Sequence, residues 1–339
     1  MTASPTLVDR ATAALLGLAI GDALGMPTQS MSRERIARTY GSIETLRDAD
    51  AEQPIAPSMP AGSITDDTEQ ALLLGDLLVA GGGRLDPRTF ADALSEWERI
   101  MAAKGSRDLL GPSTKAAIAA IQHGATPEDD PGRFGTTNGA AMRIAPVGVA
   151  FRSDHAVLLP AVAEASRLTH NTGLGLSGAA AVAAAVSHAL DDAAATSHSV
   201  IAAAATAADA LRTSGNWVAG GAIGPRIRWA SATIVPLDEA DALDFVADVV
   251  GTSVASQESV PAAFALIARF GDDPYAVLRH AAALGGDTDT VAAMAGAVLG
   301  ALHGMTAWPD DVVTRVVEVN DLDVGPLVNG LLDLRLAAA

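Results

Sequence analysis

Apolar residues in this chain recur at the three- and four-residue spacing of helices, and strict apolar–polar alternation over several residues is almost absent. The best strand candidate, SATIVPL at 231–237, is weak. Alanine dominates the apolar runs, while Phe, Tyr and Trp together make up only 4% of the chain. Alanine is the strongest helix former and has almost no side chain to hold backbones apart, so its runs predict closely packed helices. Strand-favouring aromatics are scarce. The pattern places helices over 6–26, 30–40, 66–80, 87–104 and 112–123, with short ones around Pro146. Further runs follow at 154–168, 173–191, 195–213, 237–251, 256–270, 274–283, 288–303, 310–319 and about 325–336. Residues 41–62 and 124–138 read as loops, and 214–235 as irregular. A connection as long as 41–62 is uncommon without a binding role. No repeat and no linker-like break divides the chain, so the expected fold is all-α and compact, a single domain over 1–339 with its core at about 6–320.

Within that helical frame stand two short acidic clusters about 220 residues apart, SITDDTEQ at 63–70 and GGDTDTVA at 285–292. Each lies at the start of an apolar helical run. In the first, Thr65 or Asp66 can cap the helix, and Glu69, three positions after Asp66, fits a capping box. In the second, Gly285 and Gly286 permit positive φ or close approach. Neither Asp66 with Asp67 nor Asp287 with Asp289 would share a face within a helix, but both pairs can turn toward one cavity where the backbone is not yet helical. Ordinary N-capping is the simpler reading of either cluster alone. Two carboxylates at both helix starts exceed what capping needs, and crowded carboxylates repel unless a proton or cation offsets them. Carboxylates and hydroxyls are hard oxygen ligands of the kind that hold magnesium-like ions.

Composition narrows the chemistry. The 339 residues include 22 basic and 40 acidic ones, a net charge of −18, and 49% are apolar. That balance argues against nucleic acid as a partner and offers no basic surface for anionic lipid. It suits a cationic partner such as an arginine-bearing peptide, although solubility alone explains it. A phosphorylated ligand remains compatible if metal ions supply local positive charge. With no cysteine, thiolate nucleophiles, disulfides and cysteine-ligated metals are excluded. The opening MTASPTLVDR lacks a signal-peptide layout, and the apolar stretch 172–190, built from Ala, Gly and Ser, reads as a buried helix rather than a membrane span. The expectation is a cytoplasmic protein with no membrane partner.

Five segments in order resemble the ADP-ribosylglycohydrolase family, in particular its dinitrogenase reductase-activating glycohydrolase-like members. They are GLAIGDALGMPTQ at 17–29, SITDDTEQALLL at 63–74, TTNGAAMRIAPVG at 136–148, SRLTHNTGLGLSGAAAV at 166–182 and LGGDTDTVAAMAGAVLGALHG at 284–304. The resemblance implies an orthogonal multi-helix bundle, two Mg2+ or Mn2+ ions, and hydrolysis at C1 of an ADP-linked ribose, including ribose carried on a protein side chain. It implies Thr65, Asp66 and Asp67 as metal ligands on one side and Asp287, Asp289 and Thr290 on the other. Asp67 is expected to accept the proton of the attacking water, with Asp289 as its rival. Thr136, Asn138, Gly139, His170 and Gln29 are the expected substrate contacts.

Two positions depart from the family pattern. Gln29 stands where many members carry a glutamate near the metals, and Thr137 replaces the usual glycine before the asparagine. Gln29 cannot act as a carboxylate base, which weakens transfer of the protein-hydrolase activity specifically.

Other residues carry two readings each. Asp22 either supports the metal shell through hydrogen bonds or makes a local helix-end contact. Asn138 either meets a ribose or phosphate oxygen or caps a helix. Arg143 either binds loop carbonyls while buried or meets an anionic substrate. His170, placed between two helical runs, either contacts sugar or phosphate or is a buried structural residue. Trp217 either stacks on adenine or packs, with packing favoured. His303 reads as structural, and Gly251 to Ser253 offer little signal.

The leading function is a metal-dependent glycosidase for an ADP-ribosyl compound. A glycosidase for a smaller nucleoside-like ribosyl metabolite is the alternative, and a non-catalytic ADP-ribose-binding protein a third reading.

Overall fold

In the computed structural model, which describes residues 3–103 and 111–337, the apolar runs become seventeen α-helices. No strand forms among the described residues, and three isolated bridges are the only pairing of extended backbone. One continuous apolar cluster runs from Ala11 to Leu332 and is built largely of alanine, valine and leucine. The helix Gly173–Asp191 is long and apolar enough to cross a membrane by composition, yet its apolar stretch is 89% buried among other helices.

The helices that matter most for the site are Pro5–Gly25 and Thr288–His303, which run antiparallel in backbone contact. A Cβ added to Gly17 would lie 2.4 Å from the carbonyl oxygen of Gly296, and one on Gly21 would lie 2.2 Å from that of Ala292. Reciprocally, one on Gly300 would lie 2.0 Å from the carbonyl oxygen of Ala13. Only residues without side chains permit such an approach. The stripe ends at Gly25, which abuts the backbone of Asp289. The close packing of the two helices therefore delivers the second acidic cluster to the C-terminal end of the first helix.

Three expectations from the sequence are corrected. The stretch 214–235 contains the helix Ile223–Ile234, and SATIVPL is the end of that helix and the turn after it, not a strand. Gly224 and Pro225 looked like breakers, but they occupy the first turn, where a missing N–H costs nothing. The run predicted over 237–251 begins at Glu239 and passes into the π-helical turn Phe245–Val250, which Gly251 caps. His170 is the last residue of the helix His155–His170 rather than part of a connection. The predicted end of the helix 87–104, at Lys104, lies outside the described residues.

Candidate active site

The second acidic cluster is held by backbone before any side chain acts. Gly285 and Gly286 have φ of +80° and +78°, a conformation that disfavours side chains. The turn they make pairs with Ser30 and Met31: Ser30 N donates to Gly286 O at 2.7 Å and Gly286 N to Met31 O at 3.0 Å. Asp287 N donates to Thr252 O at 2.7 Å, and the Thr252 hydroxyl to Gly285 O at 2.8 Å. Thr288 completes the clamp by donating to Gly25 O at 3.0 Å.

The first cluster is capped from elsewhere in the chain. Thr65 occupies the N-cap position of the helix Asp66–Ala80, but its side chain makes no capping bond there. Asp22 does the work instead. Its carboxylate, fully buried, accepts from Thr65 N at 2.9 Å, the Thr65 hydroxyl at 2.8 Å, Thr68 N at 3.1 Å and the Thr68 hydroxyl at 2.5 Å. The expected capping box is replaced too, since Glu69 accepts from the Trp97 indole at 2.6 Å. Because Asp22 satisfies the helix start, Asp66 and Asp67 are released from capping.

Asp66, Asp67, Asp287, Asp289 and Thr290 line one cavity of about 320 Å³, together with Gln29, Asn138 and Gly139. The two clusters touch, with the Thr290 hydroxyl 3.3 Å from Asp67 Oδ2. Asn138 Nδ2 donates to Asp287 Oδ2 at 2.5 Å and to the Ser259 hydroxyl at 2.9 Å. Burial, reinforced by mutual repulsion, pushes the Asp66, Asp67 and Asp289 carboxyls well above the usual carboxylate range. Asp287 is raised as well, through desolvation, although it keeps some exposure. Burial lifts Asp22 to about 6 against the pull of its four donors.

A cationic network stands behind Asp66. Gln70 donates to Asp66 Oδ2 at 3.2 Å, and fully buried Arg143 donates to Gln70 Oε1 at 3.0 Å. Burial lowers Arg143 to about 10. Its other arm donates to the Thr169 hydroxyl, which lies 2.7 Å from His170 Nδ1, and His170 Nε2 lies 2.9 Å from the Thr137 hydroxyl. Desolvation and the nearby Arg143 charge hold His170 well below its usual value, so its ring is neutral. The chain of bonds connects the first acidic cluster to the turn that carries Asn138 and Gly139.

The donor set suits hard divalent cations: four carboxylates, the Thr290 hydroxyl nearby, and an Asp67 Oδ1 that is buried with no hydrogen-bond partner. As the side chains stand, no three His or acidic groups among the described residues are arranged to hold one ion between them. The carboxylates come two from each helix start, and of the two threonines expected as ligands only Thr290 is among the lining residues.

Of the expected site residues, Thr65 lies just behind the wall, engaged by Asp22. Thr136 and His170 are not among the lining residues. His170 has both ring nitrogens occupied by threonine hydroxyls, and a Cβ on Gly139 would meet its ring at 3.0 Å, so it backs the wall. Arg143 is likewise buried, bonded to side chains rather than to loop carbonyls. Trp217, expected to pack, is 86% exposed.

Sequence reasoning missed Ile55, Lys115 and Val254, which also line the cavity. Ile55 belongs to the long 41–62 loop, whose length was the available signal. Lys115 is one of only two lysines beside twenty arginines. Val254 had no signal.

An ADP-ribosylglycohydrolase family model matches residues 3–338. The chain belongs to the ADP-ribosylglycohydrolase family. Membership supports a glycohydrolase acting on ADP-ribosyl linkages. An uncharacterised protein of Escherichia coli K12, YegU, is 32% identical over 329 residues, 96% of this chain and 97% of that protein. An ADP-ribosylarginine hydrolase, Tri1 of Pseudomonas putida GB-1, is 29% identical over 91% of this chain and 74% of its own. A solved structure described as an ADP-ribosylglycohydrolase-related protein complex has a TM-score of 0.69 and 25% identity, with 98% of this chain and 99% of that one covered.

Proposed function

We propose that this chain is a divalent-cation-dependent ADP-ribosylglycohydrolase that cleaves the C1 glycosidic bond of an ADP-ribosyl compound. One observation carries the reading: two helix starts remote in sequence place four carboxylates, three buried and one half-buried, around a single cavity in a chain of this family. Thr65, Asp66, Asp67, Asp287, Asp289 and Thr290 would hold two ions. Mg2+ or Mn2+ at this set supplies Lewis acidity and the positive charge that balances the carboxylates.

Asp67 is the proposed general base. Its Oδ1 has no protein partner and is the group able to take a proton from the attacking water. Asp289 is the rival for that role. Positive charge developing on the sugar as the bond at C1 breaks is stabilised by the surrounding carboxylates. Asn138 and Gly139 face the sugar, and Gly139 leaves room for close approach. His170 and Thr136 act from behind the wall by positioning that turn.

A smaller ribosyl metabolite is the second reading. The neutral Gln29 favours it, as does a cavity near the lower end of the roughly 300–1,000 Å³ typical of ligand sites.

The test is a panel of ADP-ribosyl-arginine, ADP-ribosyl-serine, ADP-ribosyl esters and simple ribosides, with Mg2+, Mn2+ or chelator. Metal-dependent release of ADP-ribose is expected. Turnover confined to simple ribosides would move the assignment to the second reading, and full turnover in chelator would remove the cations from it. Anomalous scattering from crystals grown with Mn2+ would count the ions directly.

A further inference from the structure

Residues 251–255 form a strap between the π-helical turn Phe245–Val250 and the helix Ser256–Phe270, and two elements of the cavity wall hang on it. The Thr252 carbonyl accepts from Asp287 N at 2.7 Å, and the Val254 carbonyl accepts from Asn138 N at 2.9 Å. Ser256 tightens the second hold, its N donating to Thr136 O at 3.1 Å and its hydroxyl to Thr137 O at 2.7 Å. The strap thus fixes the spacing between a carboxylate assigned to the cations and the asparagine assigned to the sugar. Its two ends are held by one side chain from outside the cavity, Arg226 of the helix Ile223–Ile234. Arg226 Nη2 donates to Val250 O at 2.9 Å, and its Nε to Gln257 O at 2.6 Å. Both carbonyls lack their usual helical donor. The chain leaves the helix at Gly251, with φ of +90°, so no further turn reaches Val250 O. Four residues after Gln257 stands Pro261, inside the helix and with no N–H to give. A guanidinium is the side chain whose planar fork serves two such carbonyls at once. Glu258 also accepts from Ser253 N at 3.3 Å, but that bond joins the strap to the helix that follows and does not join its two ends.

We propose that Arg226 is a positioning residue for this site, closing the ends of the strap and so setting the spacing of Asp287 and Asn138; the ligands given to those two residues rest on the ADP-ribosyl reading above. Arg226 touches neither ligand and is not among the lining residues. It acts through two backbone carbonyls, one for each wall element. Asn138 Nδ2 and Asp287 Oδ2 also meet directly, at 2.5 Å, so a drift of either end of the strap pulls that bond apart. Loss of Arg226 therefore loosens the cation side and the sugar side together. The helix Asp66–Ala80, whose start is held by Asp22, is left as it was.

The experiment compares wild type, R226M and R226K as full chains. Methionine keeps an apolar stem and removes every donor, whereas lysine keeps a point charge that serves one carbonyl at a time. In the metal-free protein, amide hydrogen exchange at Asn138 and Asp287 should be about tenfold faster in R226M, with the first turn of the helix Asp66–Ala80 unchanged. Calorimetry should show Mn2+ and ADP-ribose each binding about tenfold more weakly to R226M, and R226K should recover part of each loss. An arginine that merely supports the fold would lower the melting temperature and leave both affinities and both exchange rates at their wild-type values. That result would overturn the proposal. Should R226M fail to fold, R226K is read in the same way: changes of about threefold support the proposal, and wild-type exchange and affinities overturn it. A wild type that turns over no ADP-ribosyl compound and does not bind ADP-ribose would remove the ADP-ribosyl reading, while the exchange and Mn2+ measurements still decide the role of Arg226.

Discussion

Asp22 and Asp67 divide the labour at the site. Asp22 spends its oxygens on Thr65 and Thr68, and Asp67 keeps one free. Replacing Asp67 with Asn should therefore lower kcat by about a hundredfold or more, the usual worth of a general base. It should leave the circular dichroism spectrum and melting temperature of the metal-free protein unchanged or raised, because one buried charge is gone. Near-wild-type turnover in saturating Mg2+ would reject that role. Replacing Asp22 with Ala strands four buried donors at the start of the helix Asp66–Ala80. A loss of about 2–4 kcal/mol in urea denaturation is expected. Cation affinity, read by calorimetry, should fall by about tenfold or more, since Asp22 orients the residues that would bind the ions. An unchanged urea midpoint would show that the helix start does not depend on it.

The antiparallel pair Pro5–Gly25 and Thr288–His303 sets the distance between the halves of the site. At an ordinary exposed helix position, Gly to Ala adds about 0.5–1 kcal/mol of stability. At Gly21 the sign should invert, because the new Cβ would lie 2.2 Å from the Ala292 carbonyl oxygen and backbone cannot swing aside as a side chain does. Gly21→Ala should lower stability by about 1–3 kcal/mol or more and weaken cation binding together with it. A higher melting temperature would mean that the two helices do not pack backbone to backbone. The network from Asp66 through Gln70, Arg143, Thr169 and His170 to Thr137 performs a similar task between elements. It ties the helix Asp66–Ala80 to the turn before Gly139, so the two walls move together.

Across the entire chain, an acidic protein of net charge −18 concentrates its costliest charges in one cavity. Asp22 has its carboxyl raised from 3.8 to about 6 by burial, and burial with mutual repulsion raises Asp66, Asp67 and Asp289 well above the usual carboxylate range. Between those two values the folded chain holds a proton on Asp22 that the unfolded chain has released, so stability falls as pH rises through this window. The other three, raised in the same direction, add to the fall. In chelator the protein should melt several degrees higher near about pH 5.5 than near about pH 8. Added Mg2+ or Mn2+ binds the ionised form and should raise the melting temperature more at the higher pH. Scanning calorimetry at both values decides this, and a metal-free protein that is more stable at the higher pH would contradict it.

The all-helical fold and the positions of most helices were readable from the chain, because helical period is a local property. That the two acidic clusters share a site was expected only from their excess of carboxylates over capping needs and from the family resemblance. The helix Ile223–Ile234 was hidden because Gly224 and Pro225 mean one thing in a first turn and another in a loop. Which cap served Asp66 was equally hidden. Local spacing offered Thr65 and Glu69, whereas the carboxylate in place belongs to Asp22, more than forty residues earlier. Lys115 and Val254 reach the cavity through contacts that no pattern in their own segments records. Sequence settles what a segment favours on its own. Which partner satisfies a buried group depends on how segments far apart in the chain come to lie against each other.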